Sequence, residues 1–251
     1  MQSKYGRIVA AIFLIEIVMV SVSGTTAAIE SHGVTLNVLK EESIDELLAG
    51  KYAMRATEIT ARAGHVIREL SHGGRGIGYL LNGTVMSTEN GRSERYTVGQ
   101  AISVRVKDDR QYKNVGEDLV RIVVFEVLPL FQTKTRKPSE TKDPTENVKL
   151  EREIDVASGE NKIILVYGKI ARGGFAGEHT HRGNEMRVLL TGSLTMSMHQ
   201  NTEHYEKGNY FFEPANTHMM KVEGDKNQDT SFIIFEQGPA HELDDIYHPG
   251  G

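Results

Sequence analysis

Two histidines and a glutamate lie close together in the segment Gly177-Glu178-His179-Thr180-His181-Arg182-Gly183-Asn184-Glu185. Residues two apart on a β-strand point to the same side, so His179 and His181 can present both imidazoles to one point inside a barrel. Glu185 lies beyond the turn at residues 182–184, and a returning strand would bring its carboxylate to that same point. Imidazole and carboxylate ligands together suit a divalent first-row metal. The stretch therefore predicts a metal site built on β-strands.

A second segment, which begins at Gly208, supplies a fourth candidate ligand. Pro214 and Asn216 are turn residues, and His218 starts the strand that leaves the turn. Four protein ligands on a six-coordinate metal leave two positions for water, a bidentate oxyanion, or a substrate together with dioxygen. These ligand types do not choose between Fe, Mn, Ni, Cu and Zn. The sequence predicts one divalent transition metal without identifying it.

Together, the two segments resemble the paired motifs of the cupin superfamily. The first motif is a glycine, then His-x-His, a glutamate three or four residues on, and a second glycine, here Gly192. The second motif is Gly-x5-Pro followed shortly by histidine, with Asn216 here in place of a more usual glycine. The resemblance is strong over residues 150–240 and weak over residues 55–130. It implies an antiparallel β-barrel with a metal in its mouth, bound by His179, His181, Glu185 and His218.

The chain also contains an internal repeat at an offset of 109 to 110 residues. The segment Tyr79-Leu80-Leu81-Asn82-Gly83 matches Val188-Leu189-Leu190-Thr191-Gly192, and Val124-Phe125-Glu126 matches Ile234-Phe235-Glu236. Two further matches keep the same order, as expected of a tandem duplication. With the resemblance, the repeat predicts an all-β fold of two tandem cupin barrels, each a double-stranded β-helix or jelly roll. The clearest predicted strands are Arg121–Val127, Lys162–Ile170, Met186–Leu190, Ser193–Met198 and Ser231–Glu236.

The first half of the repeat lacks most of the predicted ligands. Leu70 stands where the second half has His179, Gly76 stands where it has Glu185, and only His72 is retained, in the place of His181. One imidazole with no carboxylate nearby does not hold a transition metal. We therefore expect a metal-free N-terminal barrel that serves as a structural or dimerising partner. An anion site in its mouth, formed by His72, Arg75 and Arg105, is the alternative.

Residues 1–28 have the organisation of a signal peptide. Lys4 and Arg7 precede an apolar run over residues 8–20, which Glu16 interrupts, and small residues follow up to Ala28. This pattern predicts a periplasmic or secreted protein, with no stable membrane insertion once the leader is removed. An uncleaved N-terminal anchor and a cytosolic protein are the alternatives.

The remaining chain divides by composition. Residues 29–54 form an N-terminal extension with a short helix, predicted from a capping box of Ser43 and Glu46 and a stop at Gly50. The N-terminal barrel covers residues 55–131 and the C-terminal barrel residues 149–241, with a tail at residues 242–251. Between the barrels, residues 132–148 form a polar linker, because residues 132–147 contain no apolar side chain.

The composition excludes several classes of protein. The 251 residues contain 29 Lys and Arg against 34 Asp and Glu, a net charge of −5, which argues against binding nucleic acid through its phosphates. With no cysteine, the chain has no disulfide, thiolate ligand, iron–sulfur cluster or cysteine nucleophile. The expected partner is a small-molecule substrate, and a homodimer is left open.

The predicted metal site favours an oxidoreductase, dioxygenase-like, that acts on a small organic substrate. Arg187 shares a strand face with Glu185, so it is a candidate substrate-binding residue that could pair with a carboxylate. A metal-dependent isomerase or lyase without redox chemistry is the alternative enzyme. A non-catalytic small-molecule-binding barrel is the alternative outside the enzymes.

Overall fold

The computed structural model describes residues 31–44, 47–106, 110–133, 143–199 and 201–247. Nearly all of their regular structure is antiparallel β-sheet, and the two short helices follow the last strand of each half. The predicted leader, residues 1–28, lies outside the described residues. Within the described ranges, no helix is both long and apolar enough to cross a membrane.

The first half of the described chain forms strands β1 to β9 and helix α1. Their bounds are β1 Ser31–Ser43, β2 Gly50–Ala61, β3 Val66–Ile67, β4 Arg75–Asn82, β5 Thr84–Glu89, β6 Arg92–Thr97, β7 Ala101–Val104, β8 Gln111–Asn114, β9 Val120–Pro129 and α1 Leu130–Thr133. One sheet has the order β10-β2-β9-β4-β7, where β10 is Thr145–Val156, and a second has the order β3-β8-β5-β6.

The second half repeats this arrangement. Its remaining elements are β11 Asn161–Ala176, β12 His179–Thr180, β13 Asn184–Thr191, β14 Ser193–Met198, β15 Asn201–Glu206, β16 Tyr210–Glu213, β17 His218–Met219, β18 Lys221–Gly224, β19 Thr230–Pro239 and α2 Ala240–Tyr247. The main sheet has the order β15-β14-β18-β11-β19-β13-β16, and β12 pairs with β17 in a separate ribbon. All five stretches predicted as strands lie inside β9, β11, β13, β14 and β19.

The strand bounds confirm the all-β fold and show the internal repeat. Strands β4 to β7 have the same lengths as β13 to β16 and precede them by a constant 109 residues. The turns that end the first strand of each set also match: Gly83 and Gly192 have φ of 84° and 70°, a left-handed conformation that glycine adopts without steric cost. The two halves therefore share backbone conformation as well as strand order.

The two halves exchange a strand. Strand β1, at the start of the described chain, pairs with β11 of the second half, with Ser43 opposite Lys162. Strand β10, which precedes the second barrel, pairs with β2 of the first half, with Val156 opposite Gly50. Residues 145–148, placed in the linker by composition, are the first residues of β10. Each main sheet is thus completed by a strand that precedes the other barrel.

The predicted N-terminal helix is wrong. Ser43 is the last residue of β1 and Gly50 is the first of β2, and the described residues between them make a turn in which Leu47 N donates to Ile44 O over 3.0 Å. Glu46, the partner of Ser43 in the predicted capping box, lies outside the described residues. The described residues of this link are not helical, and the longer of the two described helices is α2, with eight residues near the C-terminal end.

The two barrels share a hydrophobic core. Phe125 on β9 and Phe235 on β19 stack with ring centroids 5.4 Å apart and planes 10° from parallel. The two residues are equivalent in the repeat, so the contact joins matching positions of the two halves. Buried residues of both halves surround them, among them Met54, Ile77, Leu165, Met186 and Ile233. This shared core fixes the inner strands β9 and β19, and strand β13, which carries Glu185, pairs with β19.

Candidate metal centre

Two glutamates face each other inside the C-terminal barrel. Glu185 on β13 is the direct cross-strand partner of Glu213 on β16. Both are 3% exposed, although each has apolar neighbours along its strand. Like charges directly opposite one another in a sheet repel, and burial strengthens the repulsion, so the pair requires compensating cations.

His181 lies between the two glutamates. Its Nδ1 is 2.6 Å from Glu185 Oε1, and its Nε2 is 2.8 Å from Glu213 Oε2. The backbone of the loop after β16 holds His181 in place, since His181 N donates to Thr217 O over 3.1 Å and Asn216 N donates to His181 O over 2.8 Å. Asn216 has φ of 63°, as expected for a turn residue that replaces glycine.

Arg187 supplies the second positive charge. Its Nε and Nη2 donate to Glu185 Oε2 over 2.8 and 2.5 Å, and its Nε lies 3.2 Å from Glu213 Oε1. The guanidinium carbon also lies 5.6 Å from the centroid of the Phe232 ring. Strand phase therefore places Arg187 inside the barrel beside Glu185, where its guanidinium is paired with protein carboxylates.

The pKa shifts follow from this arrangement. Burial lowers the pKa of His181, but the two carboxylates outweigh burial and raise it to about 10. Burial raises the pKa of Glu185, but Arg187 and His181 outweigh that effect and hold it well below its usual value. The protonated imidazole and the guanidinium thus balance Glu185 and Glu213, which is how a charge cluster this deeply buried is tolerated.

His179 lies beside this cluster, outside the group of His181, Glu185 and Glu213 whose ligand atoms converge. Its ring contacts that of His181 edge to face, with centroids 4.9 Å apart. The 2.7 Å contact from its Nδ1 is to the carbonyl oxygen of Gly177, which can only accept, so Nδ1 carries the proton and Nε2 keeps its lone pair. Burial lowers the pKa of His179, which favours the neutral form that metals bind.

The structure does not bring His218 to the cluster. In the β12–β17 ribbon His179 is opposite Met219, and Thr180 is opposite His218. Cross-strand partners share a face, so His218 lies on the opposite face from His179 and His181. There its Nε2 is 3.0 Å from Glu178 Oε1, its Nδ1 is 3.2 Å from Thr180 Oγ1, and its ring stacks on His199. Met219, which is fully buried, takes the inner position.

The residues that converge fit a divalent metal. His181, Glu185 and Glu213 each offer a ligand atom within 4.8 Å of the others. Neither His181 Nε2 nor either oxygen of Glu213 has a hydrogen bond of good geometry to a described residue, although all three atoms are buried. Buried polar atoms of native proteins are nearly always satisfied, and a cation between imidazole and carboxylate would satisfy these. The donor set of imidazole nitrogen and carboxylate oxygen suits Mn, Fe, Zn or a similar ion.

In the first barrel, His72 is equivalent to His181 but has different neighbours. Where the second half pairs Glu185 with Glu213, the first pairs Gly76 with Val104. The sequence predicts no carboxylate near His72, and this prediction is wrong. The Nδ1 atom of His72 is 2.5 Å from Glu126 Oε2, and its Nε2 is 3.5 Å from Glu146 Oε2. These carboxylates lie on opposite sides of the ring, and in the described part of this barrel no three residues converge as a metal-binding group.

Glu213 is the site residue that sequence reasoning missed. It is the residue before Pro214, and its partner Glu185 is distant in the sequence. The available signal was a lone carboxylate ending the aromatic run at residues 210–212, whose alternation places it on the same side as buried Phe211. The cross-strand register that joins it to Glu185 is not visible in either segment alone.

Comparisons with known proteins support the fold. No protein-family model matches the sequence. No curated protein matches it either. Among solved structures, AerE from Microcystis aeruginosa is similar with a TM-score of 0.51 at 14% identity, covering 83% of this chain and 96% of that one. Salicylate 1,2-dioxygenase from Pseudaminobacter salicylatoxidans has a TM-score of 0.51 at 11% identity, covering 73% of this chain and 70% of that one.

A third solved structure, a cupin 2 conserved barrel domain protein from Leptotrichia buccalis, has a TM-score of 0.43 at 14% identity and covers 80% of this chain and 97% of that one. At these identities the first two similarities show the fold alone. The fold is the two-barrel cupin fold that the motifs and the repeat predict.

Proposed function

We propose that the C-terminal barrel binds one divalent transition metal through His181, Glu185 and Glu213, with His179 as the adjacent further ligand. The observation that carries this proposal is the convergence of buried imidazole and carboxylate atoms, of which His181 Nε2 and both oxygens of Glu213 form ion-pair contacts without a hydrogen bond of good geometry. His218 belongs to the ligand set that the motif resemblance implies, and the geometry favours Glu213 as the fourth ligand in its place.

We further propose that this centre is the active site of an oxidoreductase, dioxygenase-like, that acts on a small organic substrate. A bound metal would supply Lewis acidity and, if it is iron, manganese or copper, redox chemistry. Three or four protein ligands leave coordination positions for substrate and dioxygen. The fold shared with a salicylate 1,2-dioxygenase supports this class, although at 11% identity it does not identify the substrate.

The protein side chains have separate tasks in this proposal. Arg187 balances the charge of Glu185 and Glu213, and its guanidinium lowers the pKa of Glu185, which favours the ionised form that binds metal. The Gly177 carbonyl fixes the tautomer and orientation of His179. Met219, opposite His179 in the ribbon, and Phe211, opposite Arg187 in the main sheet, are both buried apolar residues.

A second candidate is a non-catalytic small-molecule-binding barrel. One observation favours it: Arg187 and protonated His181 already balance Glu185 and Glu213, so the charge cluster is neutral without a metal. In that case the cluster is a structural replacement for the metal. The metal content of the protein distinguishes this candidate from the first.

The test begins with elemental analysis of protein purified from its natural host without a metal-chelating tag. We expect about one equivalent of a single first-row metal per chain. Dioxygen uptake is then measured with small phenolic and enolisable acids, against a chelator-treated sample of the same protein as control. Protein that is metal-free, and that takes up no metal in titration, contradicts the metal proposal. Metal-loaded protein that reduces no dioxygen with any of these compounds contradicts the oxidoreductase proposal and leaves an isomerase or lyase.

We also propose export, on the sequence of residues 1–28. N-terminal sequencing of the protein from its host tests this directly. A mature N-terminus close to Ala28 supports export, and an intact Met1 contradicts cleavage of a leader.

A further inference from the structure

The C-terminal helix is connected to the loop that carries the candidate ligands. We define the ligand loop as residues 181–185, from His181 to Glu185. Tyr247, the last residue of α2, is buried and its hydroxyl donates to Glu236 Oε2 over 2.6 Å. The other carboxylate oxygen, Glu236 Oε1, accepts from the backbone N–H of Gly183 over 2.8 Å. Two hydrogen bonds through one buried carboxylate therefore join α2 to the middle of the ligand loop.

The ligand loop lies directly against the strand that carries this carboxylate. A Cβ added at Gly183 would lie 2.6 Å from Gln237 O and 2.6 Å from Glu236 Cγ, closer than real Cβ atoms come. A Cβ added at Gly238 would lie 3.1 Å from Gly183 Cα and 3.5 Å from Leu243 Cδ2. The ligand loop, strand β19 and helix α2 are thus in contact. A displacement of α2 or of Glu236 would therefore also displace the ligand loop.

Helix α2 is itself fixed to the C-terminal barrel. Leu243 is fully buried in the core of that barrel. Lys162 Nζ lies 2.5 Å from Asp244 Oδ1, and Ala240 N donates to Glu160 O over 2.9 Å. The helix has a defined position from which Tyr247 can hold Glu236.

The equivalent glutamate of the first barrel is used differently. Glu126 accepts from His72 N over 2.7 Å and also pairs with the His72 ring, whose Nδ1 is 2.5 Å from its Oε2. In the second barrel Glu236 keeps only the contact to the loop backbone, and Tyr247 takes the place of the imidazole at the other oxygen. The imidazole of His181 is thereby left to Glu185 and Glu213.

We propose that Glu236 and Tyr247 are positioning residues, which fix the ligand loop so that His181 and Glu185 face Glu213 and set the affinity of the site for metal. This inference rests on the metal site proposed above. The part of the proposal that concerns the position of the ligand loop can be tested in metal-free protein.

The test compares Tyr247→Phe with His241→Ala in the otherwise intact chain. Tyr247→Phe keeps the buried ring and removes only the hydroxyl, whereas His241 lies on the same helix with a side chain that is 80% exposed. Two measurements are made: amide hydrogen exchange of the ligand loop in chelator-treated protein, and Co²⁺ titration followed by visible absorption. The absorption bands report ligand geometry, which a loss of overall stability alone would not change.

For Tyr247→Phe we expect exchange at the Gly183 amide to be about tenfold faster and the Co²⁺ dissociation constant to be about tenfold higher, with shifted absorption bands. His241→Ala should match the wild type in both measurements. Glu236→Gln, which can still accept from Gly183 N, should stay close to the wild type, and Glu236→Leu should resemble or exceed Tyr247→Phe.

Unchanged exchange at Gly183 in both Tyr247→Phe and Glu236→Leu overturns the proposal, whether or not metal binds. Faster exchange with an unchanged Co²⁺ affinity and spectrum overturns the claim that loop position controls the metal site. If the wild type binds no Co²⁺ at all, the proposed metal centre fails together with that claim, while the exchange measurement still decides whether Tyr247 fixes the loop.

Discussion

Glu185 and Glu213 are direct cross-strand partners, and both carboxylates are buried inside the C-terminal barrel. In water-exposed sheets such a pair is only mildly unfavourable, but in a barrel interior it persists only with a compensating positive charge. Arg187, His181 or a metal ion can provide that charge.

Replacement of Arg187 should destabilise the metal-free protein strongly. In Arg187→Met the apolar part of the side chain is kept, while Glu185 loses the two hydrogen bonds from the guanidinium and Glu213 loses its nearest guanidinium nitrogen. Breaking a buried ion pair from one side costs about 3–5 kcal/mol, because a charge is left uncompensated. Urea unfolding of chelator-treated protein measures the change in the free energy of unfolding.

Arg182→Met is the matched control for Arg187→Met. Arg182 lies in the same loop region but is exposed, so its replacement should change the free energy of unfolding by about 0.5 kcal/mol or less. If Arg187→Met unfolds at the same urea concentration as Arg182→Met, the guanidinium does not balance the two glutamates.

The stability of the first barrel should depend on pH through His72. Burial lowers the pKa of His72, but hydrogen bonds to Glu126 and Glu146 outweigh it and raise the pKa to about 9. Because the folded-state pKa is raised, the stabilisation by His72 is complete below its unfolded pKa of about 6.5 and is lost as the pH rises through about 9. A shift of this size corresponds to about 3 kcal/mol.

His72→Gln isolates this effect from the other titrating groups. The difference in unfolding free energy between the wild type and His72→Gln should be largest near pH 6 and smaller by about 3 kcal/mol near pH 10. His65→Gln is the control, since the His65 side chain is half exposed and pairs with Asp143 near the surface. If the difference between the wild type and His72→Gln stays constant with pH, Glu126 and Glu146 do not stabilise the protonated form of His72.

The stacked pair Phe125 and Phe235 should couple the stability of the two barrels. Each single replacement by alanine should cost about 3–5 kcal/mol, because both rings are fully buried. The double variant should cost less than the sum of the singles, with a coupling of about 0.5–1.5 kcal/mol from the ring contact. Phe131→Ala, at a position 69% exposed, is the control. Strict additivity of the two replacements would contradict a direct interaction.

The sequence was sufficient for the fold because its signals were repeated. The match of Val124-Phe125-Glu126 with Ile234-Phe235-Glu236 corresponds in the structure to equivalent inner strands, β9 and β19. What it could not show was the exchange of β1 and β10, since pairing between distant strands leaves no local pattern. The predicted helix at residues 43–50 was wrong because its capping signal is local, whereas the residues on either side are held in long strands by pairing with distant parts of the chain.

For the site, the sequence identified His181 and Glu185, which the structure brings into contact, and it placed Arg187 on the same face. It did not find Glu213, and it selected His218, which lies one residue away from the inward position held by Met219. A shift of one residue reverses the face of a strand, so the presence of a histidine after the Pro214 turn did not fix where its side chain would point.

The most direct test of the metal centre is the metal content of Glu213→Gln and His218→Ala, purified in parallel with the wild type and with His181→Ala, and measured by elemental analysis. If the metal lies between His181, Glu185 and Glu213, then Glu213→Gln and His181→Ala lose most of the bound metal, while His218→Ala retains the wild-type amount. Loss of metal in His218→Ala with full retention in Glu213→Gln would contradict this ligand set.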